Sequence, residues 1–137
     1  VVAAMEKYHQ SAGVQELGCR KLFSLASDSD DDNGVAVEQV DGIKAVVSAM
    51  RRHRDSADLQ EAAFMALSEL VQNDDCRAPN VNAGGIEAAV SAMQRHKDSA
   101  VVQESACGAL HNLAHNDDNQ IGIAKAGGID AVVSAMQ

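Results

Sequence analysis

Apolar residues fall at intervals of three and four along the chain, and no stretch alternates with the period of two that a half-buried strand requires. The clearest stripe is Ile86, Ala89, Val90 and Met93, at i, i+3, i+4 and i+7, which predicts a short helix with one buried face. The polar run Gln94 to Lys97 ends it, and Asp98-Ser99 offers an N-cap to a second helix, predicted from Val102 to about Ala114. On that helix Val102, Ala106, Ala109, Leu110 and Leu113 share a face. Asn116-Asp117-Asp118 is a further capping sequence, leading into a short helix whose apolar positions are Ile121, Ile123 and Ala124. Glycine pairs at Gly84-Gly85 and Gly127-Gly128 bracket the block, because glycine reaches backbone angles closed to other residues.

This block is one copy of a repeat. Gly42 to Ala57 returns almost letter for letter as Gly85 to Ala100, and its first half again as Gly128 to Met136. Met5, Met50, Met93 and Met136 stand 45, 43 and 43 residues apart, a period that selects helical solenoids, in which each unit packs only on its neighbours. One domain is predicted, with units at about 1–40, 41–83 and 84–126 and the start of a further unit at 127–137, each built as short helix, short helix, long helix. The chain starts and stops in the same phase of the repeat, at Val1 to Met5 and Val132 to Met136, as expected of a segment of a longer array. Its uncapped terminal stripes are expected to be sticky and open to end-to-end self-association.

Composition narrows the partner. Only Tyr8, Phe23 and Phe64 are aromatic, so small aliphatic side chains must fill the interior. A net charge of −9 argues against nucleic acid, whose affinity for proteins comes chiefly from Lys and Arg. Cys19 and Cys107 occupy one repeat position two units apart, about 20 Å at ordinary helix spacing and beyond disulfide reach, so free thiols in a reducing compartment are expected. No apolar run reaches membrane-spanning length and no secretory pattern stands out, so a cytoplasmic or nuclear setting without membrane contact is expected.

The string Gly84-Gly85-Ile86-Glu87, then Val102 to Ala106, then Ala109-Leu110-His111-Asn112-Leu113-Ala114, then Asn119 to Ile129 resembles the armadillo repeat. The resemblance covers the chain, most strongly from Gly84 onward, and implies an all-α fold: a right-handed α-solenoid of armadillo-like three-helix repeats. It also implies a concave groove lined by the long third helices, where extended peptides bind. In the family an Asn there hydrogen-bonds the ligand backbone and a Trp one turn earlier packs ligand side chains. The Asn position is Ser24, Glu69 and Asn112 here, and the Trp position is Arg20, Met65 and Gly108. Only Asn112 matches, which counts against a nuclear-import receptor. Two residues from Leu110, Asn112 is roughly 200° round the helix and expected to point away from the buried stripe.

The candidate partner-binding strip is thus Leu17, Arg20 and Ser24, then Ala62, Met65 and Glu69, then Ser105, Gly108, Asn112 and His115. Two irregularities depart from the repeat. Asp28 to Gly34 adds two residues and predicts a looped insertion, and Pro79 stands where the next unit has Gly122, predicting an irregular short helix.

Other chemistry fails on spacing. His111 and His115 stand at i, i+4 but lack companion ligands for a closed metal site. Counted from Asp28, a calcium loop needs Gly sixth and Glu twelfth, where Asn33 and Gln39 stand. No base is arranged to activate Cys107, and the glycine pairs recur once per unit as turns rather than phosphate loops. The expectation is a non-enzymatic, cofactor-free scaffold that binds a protein or peptide. The alternatives are a structural spacer that assembles end to end and a regulatory segment of a larger enzyme.

Overall fold

The computed structural model describes residues 1–28, 36–72 and 84–137, and every regular element among them is an α-helix. In chain order these are α1 (Val2–Lys7), α2 (Ala12–Ser27), α3 (Ala36–Arg52), α4 (Ala57–Leu70), α5 (Gly85–Arg95), α6 (Ala100–Leu113), α7 (Asp117–Lys125) and α8 (Gly128–Ala135). They stack in two rows. The long helices α2, α4 and α6 pack side by side in one, and α1, α3, α5 and α8 follow one another in the other. The all-α solenoid expected from the periodicity is the observed fold. Pro79, Cys76 and all of the expected insertion except Asp28 lie outside the described residues.

The core runs between the rows as one continuous cluster. Ile86, Ala89, Val90 and Met93 are buried from α5, and Val102, Ala106, Ala109, Leu110 and Leu113 from α6, matching the two predicted stripes. Met5, Met50 and Met93 occupy the same buried position in successive units, while Met136 is 82% exposed. On α7 the stripe falls elsewhere than expected. Ile123 and Asn119, four residues apart on one face, are buried, and Ile121, two residues from either, is 55% exposed; Ala124 is exposed as well.

Each long helix begins with the same device. Ser11, Ser56 and Ser99 are N-caps whose hydroxyls accept from the backbone N–H of Val14, Leu59 and Val102, each at 3.3 Å. Four residues after each serine stands a glutamine whose amide turns back onto the preceding helix. Gln60 Nε2 donates to the carbonyls of Met50 and His53, both at 3.1 Å, and Gln15 and Gln103 repeat the pair on Met5 and Tyr8 and on Met93 and His96. One side chain therefore supplies a donor to the methionine carbonyl at the helix C-terminus and a second donor to the carbonyl three residues on, which also accepts from the N–H of the capping serine, and so ties the two rows together.

Among the described residues, the unit from Gly84 shows three separate helices, α5, α6 and α7. Gly84 and Gly127 take φ of +83° and +82° and N-cap α5 and α8, so a new helix starts at each. The equivalent position before Gly42 is Asp41, no non-glycine residue has positive φ among the described residues, and α3 runs unbroken through it for 17 residues. Two short helices meet at Gly127 where one long helix runs through Asp41, in keeping with a left-handed turn that costs a residue with a Cβ about 1–2 kcal/mol.

Candidate protein-interaction surface

The row of long helices carries the predicted strip, and the structure separates its members. Leu17 is 69% exposed on α2, and Arg20, one turn on, pairs with Glu16 at 3.1 Å. Ser24 is half-buried with its hydroxyl 3.5 Å from an oxygen of Asp28. On α4, Met65 and Glu69 are half-buried, and Glu69 accepts from Gln72 Nε2 at 2.9 Å. Ala62 departs from the expectation. It is fully buried, because α4 is flanked by long helices on both sides and this position faces into the stack, so its side chain offers nothing to a ligand.

On α6, Ser105 and Asn112 are half-buried and Gly108 is exposed. A Cβ built on Gly108 would meet nothing within 4 Å, so the place of the family's Trp is open space. Asn112 points partly along the row, its Nδ2 donating to the carbonyl of Ser68 on α4 at 3.2 Å. One amide proton is used there; a second proton and the oxygen remain as ligand-binding capacity. His115 lies beyond the end of α6, exposed and edge-on to His111 with ring centroids 5.0 Å apart, its Nδ1 donating to the carbonyl of His111 at 3.1 Å.

Two repeat-spaced contacts escaped the sequence pattern. His53 Nε2 donates to the carbonyl of His9 at 2.8 Å, and His96 Nε2 to that of Arg54 at 2.7 Å, each reaching back one unit. The signal was visible as a histidine recurring at one repeat position, but recurrence alone did not say what it touches. Arg95 adds an ion pair to Asp55 across the same junction.

The remaining chemistry is quiet. Cys19 is enclosed and free, and burial pushes its thiol up to about 12, with Glu16 adding to the shift. Cys107 is half-buried and free, its thiol raised by burial as well. Among the described residues no group of three His, Cys, Asp or Glu side chains gathers to hold a metal, and no helix is long and apolar enough to cross a membrane.

No curated protein and no solved structure gives a significant match to the chain. A family model does: the LRRK2 ARM repeat aligns with residues 1–126, nearly the whole solenoid described above. Two rows of helices, a Gly-Gly-Ile turn and a long third helix ending in Ala-Leu-His-Asn-Leu-Ala agree with that alignment, and the chain belongs to the LRRK2 ARM repeat family.

Proposed function

We propose that the chain is a non-enzymatic interaction module that takes an extended segment of a partner protein along the strip on α2, α4 and α6. Armadillo repeats are a protein-interaction fold, which supports the general reading. The specific surface rests on one observation: three long helices pack side by side, so the strip repeats once per unit with polar groups half-sunk among apolar ones. Leu17 offers apolar area, Gly108 leaves room for a partner side chain, and Asn112 is held by Ser68 with hydrogen-bonding capacity to spare. Free thiols at Cys19 and Cys107 suit a reducing setting, which supports a cytoplasmic or nuclear reading.

The test is affinity capture with the 137-residue chain, followed by mass spectrometry and then by the Gly108→Glu variant. That substitution puts a charged side chain into open space on the strip without touching the core. A captured partner should be lost with the variant, and a partner retained at full affinity would move the site off α6.

A further inference from the structure

The other row of helices carries a second surface, built by the repeat itself. Three clefts of about 400 to 500 Å³ lie between α1 and α3, between α3 and α5, and between α5 and α8. They are one cleft copied at the repeat spacing. Met5, Met50 and Met93 line them in turn, with the capping amides of Gln15, Gln60 and Gln103. The facing helix contributes Ser48, Ser91 and Ser134, each with alanines beside it, and these small side chains leave the space open.

What varies is charge. In the first cleft Lys44 and Arg52 stand against Glu6 and Asp41, and in the third Lys97 stands against Asp130. The middle cleft is lined by Arg51, Arg54 and Arg95, with Glu87 as the one acidic group in its lining. Arg95 is paired with Asp55, but Arg51 and Arg54 form no ion pair among the described residues. Arg54 Nε is tied to the carbonyl of Arg51 at 3.0 Å, and the guanidinium of Arg51 lies against Gly84, where any Cβ would strike it. In a chain of net charge −9 this is a local reversal of sign, and guanidinium groups favour bidentate carboxylate partners.

We infer that the α1, α3, α5 and α8 row binds an acidic extended peptide, with a carboxylate seated in the Arg51, Arg54 and Arg95 cleft. Adjacent clefts are about 10 Å apart at ordinary helix spacing, which an extended peptide in the polyproline-II conformation covers in about three residues, one full turn, so that every third side chain faces the row. The fitting ligand therefore carries Glu or Asp at every third position, anchored at the middle cleft and running toward Arg52 on one side and Lys97 on the other. This surface is separate from the long-helix strip, so either assignment stands or falls without the other.

The experiment is fluorescence anisotropy of the 137-residue chain with a labelled ten-residue peptide bearing Glu at every third position, beside the same peptide with Gln in place of Glu. The Glu peptide should bind at least tenfold more tightly, and binding should weaken as salt rises. Arg54→Gln should reduce affinity tenfold or more. Ser91→Glu, which places a carboxylate in the cleft on an exposed position, should do the same, while Lys125→Gln on α7 should leave it unchanged. Equal binding of the two peptides, or full affinity in both cleft variants, overturns the inference. Loss of binding with Gly108→Glu but not with Ser91→Glu would assign the peptide to the long-helix strip and overturn it too.

Discussion

The side chain of Asn112 donates through Nδ2 to the main-chain oxygen of Ser68, 3.2 Å away and 44 residues earlier in the chain. A residue expected to serve only a ligand therefore also ties one unit to the unit before it. Asn112→Ala should destabilise the fold by about 0.5–1.5 kcal/mol, the usual net worth of one hydrogen bond. Urea denaturation measures this directly. A variant as stable as the parent would show that the bond to Ser68 contributes nothing in solution.

Leu110 is 3% exposed and lies on the buried stripe of α6, a helix that packs on both α4 and α5. Leu110→Ala should cost about 2–5 kcal/mol through lost burial and a residual cavity, as should Leu67→Ala at the equivalent place on α4. A repeat array unfolds by units, so the loss should appear as a lower midpoint in thermal melts. An unchanged midpoint would place either leucine outside the core.

Gln60 should matter nearly as much for a different reason. Its amide is 1% exposed and satisfies two carbonyls, on Met50 and His53. Gln60→Ala leaves the Met50 carbonyl without that donor, while the His53 carbonyl keeps the N–H of Ser56, at a cost of about 1–3 kcal/mol. Gln103 makes the same bonds from a half-buried position where water can replace it, so Gln103→Ala should cost less. Paired denaturation curves decide between an ordered difference and none.

How much of this was legible follows from what periodicity encodes. The stripes Ile86 to Met93 and Val102 to Leu113 specify burial directly, because their spacing is the helix's own geometry, and both faces are buried as read. Ser99 was readable as a cap because the cap is local. Gln60, His53 and Asn112 were not, since each acts on a carbonyl in a preceding helix or unit, and spacing along one helix says nothing about which neighbour's backbone comes within reach. Ala62 failed for a related reason: the same repeat position is 69% exposed at Leu17 and 0% at Ala62, because only the latter has long helices on both sides.

The cysteines should separate by reactivity. Cys19 is enclosed and its thiol is raised to about 12, while Cys107 is half-buried and raised by burial alone. The thiolate is the reactive form, so iodoacetamide at pH 8 should label Cys107 well before Cys19 in the native chain, read by peptide mass mapping. A folded pKa above the unfolded value of 9.0 also fixes the sign of the pH dependence: the contribution is full below about 9 and is lost as pH rises from there toward 12. Cys19→Ala should flatten that alkaline decline. Equal labelling of the two thiols would contradict the burial of Cys19.

One substitution should act in opposite directions at three glycines. Gly84 and Gly127 hold φ of +83° and +82°, where alanine costs about 1–2 kcal/mol. At Gly127 nothing lies within 4 Å of the new Cβ, so that backbone term should be the whole effect. At Gly84 the Cβ also meets the guanidinium of Arg51, the far end of a flexible side chain that can swing aside, so stability should fall by a similar amount while Arg51 leaves its place in the cleft. Gly108 is helical, exposed and clear of neighbours, so Gly108→Ala should stabilise by about 0.5–1 kcal/mol by restricting the unfolded chain and favouring helix. Asp41, at the equivalent position, lies inside the continuous helix α3, whereas Gly127 separates α7 from α8. Denaturation of the three alanine variants measures all of these together. A loss at Gly108 or a gain at Gly127 would contradict the helix boundaries on which the two-row arrangement rests.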